Sequence, residues 1–135
     1  MLKKSAAVLA IAGLLTMSAQ PSSVFAAEKK YSFKVTGGKS ANTKSFKIGS
    51  SKAKICAVWM LPASSGIGSF SHMRYIWKLQ KSSGGKWKTV KTEAPLVVGS
   101  GFCMTASTSK TATYRMHVEA PPLAGTHGDV GVTKK

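Results

Sequence analysis

Short runs in which apolar and polar residues alternate, separated by glycine and serine, constrain this chain more than any other feature. Tyr31, Phe33 and Val35 alternate with Ser32 and Lys34, and Phe46 and Ile48 flank Lys47. Met73, Tyr75, Trp77 and Leu79 alternate with Arg74, Ile76, Lys78 and Gln80, and Ala112, Tyr114, Met116 and Val118 with Thr113, Arg115, His117 and Glu119. A period of two puts successive side chains on opposite faces of a strand, so each run reads as a β-strand with one buried side. Residues 53–60 are almost continuously apolar after Lys54 and read as a central strand buried on both faces. Phe102 to Ala106 and a short segment near Val130 to Thr133 complete the set. Helical periodicity and internal repeats are absent beyond the first residues. The expected fold is all-β, a small antiparallel β-sandwich of seven or eight short strands, with a small β-barrel as the alternative.

The first 26 residues follow a different logic. Lys3 and Lys4 precede an apolar run from Ala6 to Met17, and small residues end the segment at Ala26 and Ala27. A cationic start, an apolar stretch too short for a spanning helix and a small-residue boundary describe a secretory signal peptide over residues 1–26, cut after Ala26. Residues 27–135 then form a single β-sandwich domain, secreted or associated with the cell wall, with no transmembrane segment after cleavage and a monomer as the expected state. These 109 residues hold all four acids and all but Lys3 and Lys4 of the twenty lysines and arginines, a net charge of +14 against +16 for the whole chain. Such an excess attracts polyanions in a way that salt weakens.

Two cysteines, Cys56 and Cys103, lie in strand-like segments, and an even pair in an exported chain predicts a disulfide. His72, His117 and His127 stand at no ligand-like spacing from them, so no metal and no cofactor is expected.

Ser82, Ser83, Gly84 and Gly85 turn the Met73 strand into Lys86 to Lys91. Matching apolar with apolar pairs Gln80 with Lys86, Leu79 with Trp87, Trp77 with Thr89 and Ile76 with Val90, and sets Lys78 opposite Lys88. On this register Arg74, Lys78, Lys86 and Lys88 share an outward face, which Lys34 and Lys54 extend where their strands lie alongside. Tyr31, Phe33, Trp59, Trp77, Trp87, Phe102 and Tyr114 are assigned mainly to the core.

The resulting expectation is a non-enzymatic binding protein whose lysine-rich face engages anionic cell-wall or membrane-surface polymers. Nucleic acid is a weaker partner, because lysine dominates over arginine and no exposed aromatic array accompanies the charge. An antimicrobial or toxin-like protein is the alternative, and a nuclease built on Glu93, His117 and Arg115 ranks below it, since nothing in the spacing brings Glu93 to the other two. His127, Gly128 and Asp129 read as turn residues, and the serine-rich segment ending at Phe70 and His72 reads as a loop.

Overall fold

A computed structural model describes residues 27–61 and 70–135. The proposed signal peptide and most of the serine-rich loop lie outside these residues. The described chain forms nine strands: β1 (Lys29–Val35), β2 (Ser40–Asn42), β3 (Phe46–Lys47), β4 (Lys52–Trp59), β5 (Ile76–Ser83), β6 (Lys86–Glu93), β7 (Gly101–Ser107), β8 (Thr113–Glu119) and β9 (Thr126–Lys134), with one 3-10 turn at Val97–Gly99. A four-stranded sheet runs β1-β9-β4-β7, and a second sheet runs β2-β8-β5-β6 with β3 also on β8. All pairings are antiparallel. The fold is a β-sandwich.

Alternation sorts the residues as the sequence implies. Phe33, Val35, Ala53, Ile55, Ala57, Trp59, Val130 and Val132 line the inner face of the first sheet, and Trp77, Leu79, Tyr114, Met116 and Val118 that of the second. At the centre, Trp59 of β4 stacks on Trp77 of β5 at 6.2 Å, and the edges of Phe33 and Tyr75 meet them at 4.9 and 5.1 Å. The Trp59 indole N–H donates to the Val97 carbonyl at 2.9 Å, which ties the 3-10 turn to the core. Buried Thr43 links β2 and β3: its Oγ1 accepts from Met116 N at 3.0 Å and donates to the Lys44 carbonyl at 3.0 Å.

Cys56 and Cys103 are disulfide-bonded and stand opposite one another in the β4–β7 register, with Cα atoms 4.0 Å apart. The bridge lies on the outer face of the four-stranded sheet, within that sheet, and locks an edge strand to its neighbour.

Three expectations need correction. The hairpin register is Ser83 with Lys86, Ser82 with Trp87, Lys81 with Lys88 and Gln80 with Thr89, then a bulge at Val90 and Leu79 with Lys91. Gly84 and Gly85 both have positive φ, 56° and 80°, so they form a two-residue turn of the kind that matches strand twist. That geometry, rather than apolar matching, sets the register. Ser82 and Ser83 belong to the strand. Second, His127, Gly128 and Asp129 are not a turn but the start of β9, where Gly128 pairs with both Phe33 and Trp59. A Cβ on Gly128 would lie 1.9 Å from the Val58 carbonyl oxygen, so glycine permits a strand contact that no other residue allows. Third, Trp87 is only half-buried and faces outward beside Ser82.

Candidate functional site

The corrected hairpin register separates the six cations expected to form one patch. Lys78 lies on the outer face of the five-stranded sheet, level with His117. Lys86 and Lys88 pair with Ser83 and Lys81 on the opposite side of the hairpin, because three residues of register shift invert parity. Arg74 precedes β5 and donates from Nη1 to the Ala94 carbonyl at 2.7 Å. Lys34 on β1 and Lys54 on β4 project from the outer face of the other sheet. The like-charge pair across the hairpin is Lys81 with Lys88, and Lys78 stands opposite Thr92.

What the structure does bring together is a polar array on the outer face of β2, β8, β5 and β6. Lys78 Nζ lies 2.9 Å from Glu119 Oε2, and the same oxygen lies 3.3 Å from His117 Nε2. His117 Nδ1 is 2.7 Å from Asn42 Oδ1, so both ring nitrogens are engaged. One strand pair further along, Arg115 Nε donates to Gln80 Oε1 at 2.8 Å, and Gln80 Nε2 donates to Thr89 Oγ1 at 3.4 Å. The Arg115 guanidinium lies 4.3 Å from the centre of the Trp87 ring.

Position follows from alternation. Arg115, His117 and Glu119 are successive outward residues of β8, and Lys78 and Gln80 are their neighbours on β5. Ser82 then places Trp87 beside them, and so the indole supports an arginine instead of joining the core. Lys78 and His117 together hold the Glu119 carboxyl below its ordinary range, with the Lys78 hydrogen bond as the larger cause. Partial burial lowers Arg115 from its ordinary value, but a guanidinium stays charged at neutral pH.

Gln80 anchors one edge of Arg115 and Trp87 supports its plane. The two terminal nitrogens of this side chain carry no hydrogen bond to the described residues. They form a fixed fork of the kind that accepts a carboxylate or phosphate. Beside His117 and Glu119 a shallow depression of about 320 Å³ is lined by Gly38, Lys39, Ser40 and Ala120. A larger one of about 670 Å³, open to solvent, lies over β1 and β9 between Lys34, Asn42, His127 and Asp129.

Glu93 does not join His117 and Arg115. It pairs with Trp77 at the sheet edge on the core-facing side and lies 3.9 Å from Lys91. The carboxylate beside His117 is Glu119, two residues along the same strand. Among the described residues no group of three or more His, Cys, Asp or Glu could hold a metal ion. No helix among them is long and apolar enough to cross a membrane.

Sequence reasoning placed Arg115, His117 and Glu119 outward but missed that Trp87 joins them. The signal was present: Gly84-Gly85 as a two-residue turn carries Trp87 to the outer face by parity.

Comparison with protein-family models gives no match, and comparison with curated proteins gives none. Among solved structures the chain is similar to a mitogen from Yersinia pseudotuberculosis, at 12% identity over 79% of this chain and 85% of that one, TM-score 0.47. It is similar to PirA at 10% identity, 76% and 92% coverage and TM-score 0.48. It is also similar to a family 16 carbohydrate-binding module, at 9% identity, 76% coverage of each chain and TM-score 0.44. These likenesses concern the course of the backbone, and no residue role is taken from them.

Proposed function

We propose that this chain is an exported, non-enzymatic binding domain that takes anionic polymers of the cell envelope on the outer face of its five-stranded sheet. The observation that carries this reading is the Arg115 fork, held by Gln80 and stacked on Trp87 with its terminal nitrogens open. A net charge of +14 over residues 27–135 gathers polyanions from a distance, and the fork supplies a fixed contact once they arrive. Lys34, Lys54, Lys86 and Lys88, which make no ion pair among the described residues, contribute to the field from other surfaces. The disulfide suits an oxidising, extracellular setting.

Binding without chemistry is supported by the state of His117. Its two nitrogens are committed to Asn42 and Glu119, so neither is free to move a proton on a substrate.

The test is retention of the purified domain on isolated cell walls and on an acidic polysaccharide across a salt series. Wild type binds at low salt and elutes as salt rises. Removing one charge-assisted contact by Arg115→Ala weakens binding about tenfold or more, while Lys86→Ala with Lys88→Ala has a smaller effect. Equal retention of the Arg115→Ala variant, or no retention of wild type at low salt, refutes the proposal.

A further inference from the structure

One end of the sandwich is unlike the rest of the surface. Met60 and Leu61 follow β4, Leu123 lies in the β8–β9 connection, and they are 61%, 41% and 80% exposed. The chain joins them closely. Met60 N donates to the His127 carbonyl at 3.1 Å, and Thr126 Oγ1 donates to the Met60 carbonyl, which sets Met60 against the strand that Leu123 leads into.

Leu123 is held out rather than left loose. It follows Pro121 and Pro122 and has φ 68°, a conformation that a leucine rarely adopts. Ala124 N donates back to the Pro121 carbonyl at 3.2 Å, Gly38 N donates to the carbonyls of Ala120 and Pro121, and the Tyr75 hydroxyl donates to the Ala124 carbonyl at 2.7 Å. Backbone strain at an exposed apolar residue, maintained by bonds on both sides, is the pattern of a displayed side chain.

Cations surround this end. Lys34 pairs across strands with His127, Lys39 accepts the Ala120 N–H at its carbonyl, and Arg74 bridges Leu96. The nearby Glu93 and Glu119 are held by Lys91 and Lys78, and exposed Asp129 shares a depression with Lys34 and His127, so the cations at this end outnumber its free acid. Three exposed apolar side chains, two after β4 and one in the β8–β9 connection, are far fewer than the roughly twenty or more residues that a stable protein interface buries on each side. Separate apolar tips ringed by lysine and arginine match a surface that is anionic outside and apolar just beneath.

We infer that the end bearing Leu123, Met60 and Leu61 docks on anionic lipid bilayers, with these side chains entering the headgroup boundary and Lys34, Lys39 and Arg74 meeting the lipid charges. This surface is separate from the Arg115 fork, so the two readings stand or fall independently.

Vesicle flotation tests it, with phosphatidylcholine vesicles and with vesicles that also contain phosphatidylglycerol. Wild type floats with the anionic vesicles and hardly with the neutral ones. Leu123→Gly suits the positive φ and keeps the fold, as circular dichroism will verify; it and Met60→Ser each weaken vesicle binding about tenfold. Arg115→Ala leaves vesicle binding intact, and Leu123→Gly leaves polymer binding intact. No binding to anionic vesicles overturns the inference. So does binding that both apolar variants leave unchanged, or Leu123-dependent capture of a protein in the absence of vesicle binding.

Discussion

Replacing Cys56 and Cys103 together by alanine removes a bridge that closes a long part of the chain. The two residues are 47 apart in sequence, and the loop between them contains β5 and β6, two strands of the opposite sheet. On the chain-entropy relation, a loop of this size lowers the entropy of the unfolded ensemble enough to stabilise the folded state by about 4 kcal/mol at 25 °C. In the folded state the loss is smaller: both side chains lie on an outer face, where Cys103 is exposed and Cys56 is covered. The loss of Cys56 packing adds on the order of 1 kcal/mol at most. Urea unfolding, read by the fluorescence of buried Trp59 and Trp77, measures the result. With a slope of about 2 kcal/mol per molar, the midpoint of the double variant falls by roughly 2 M. Reduction of the wild-type protein produces the same shift. A fall below about 0.5 M means that the unfolded chain is already restricted without the bridge, and the loop argument fails.

Two further perturbations test the strand arrangement and its core. Gly128→Ala places a methyl 1.9 Å from the Val58 carbonyl oxygen and 2.8 Å from the Trp59 Cα, and both are backbone atoms. The strands β4 and β9 must part at the last of their seven registered pairs, where Gly128 also pairs with Phe33 of β1, at a cost on the order of 4 kcal/mol or more; thermal melting then shows a fall well above 10 °C, and a fall of a degree or two refutes the packing. Tyr75 is fully buried, and burial pushes its phenol from 10.0 up to about 12. Folding therefore favours the protonated phenol. This stability is intact below pH 10 and is lost as pH rises from about 10 to about 12, to the extent of about 3 kcal/mol. Tyr75→Phe starts about 1 kcal/mol less stable through loss of the Ala124 hydrogen bond, yet lacks this alkaline loss; a parallel decline in both proteins refutes the assignment.

Much of the sandwich was legible because a period of two is a direct image of which side is buried. β8 shows this best: Tyr114, Met116 and Val118 fall inside and Arg115, His117 and Glu119 outside, as the letters imply. The β1 and β7 segments were readable for the same reason, β4 from its nearly continuous apolar run, and the pairing of Cys56 with Cys103 from an even cysteine pair in a chain read as exported. The site was only half legible, because a face is composed across strands and depends on register. Apolar matching set Trp87 opposite Leu79, but two glycines in the left-handed region close the hairpin three residues later. Trp87 thereby moves from core to surface, and Lys86 and Lys88 move away from Lys78. Ser40–Asn42 is too short to show alternation, yet it supplies Asn42 to His117. His127-Gly128-Asp129 has the composition of a turn, and only its strand neighbours reveal that Gly128 is there to let two backbones meet.

The most direct measurement is a nuclear magnetic resonance titration of isotope-labelled protein with a soluble anionic wall polymer at low salt. The side-chain N–H signals of Arg115 and Trp87, with the backbone amides of Lys78, Gln80 and His117, shift first and saturate together, and they return as salt is added. Shifts centred on Lys34 and Lys54, on the hairpin lysines Lys86 and Lys88, or spread evenly over all faces contradict a binding site at the Arg115 fork.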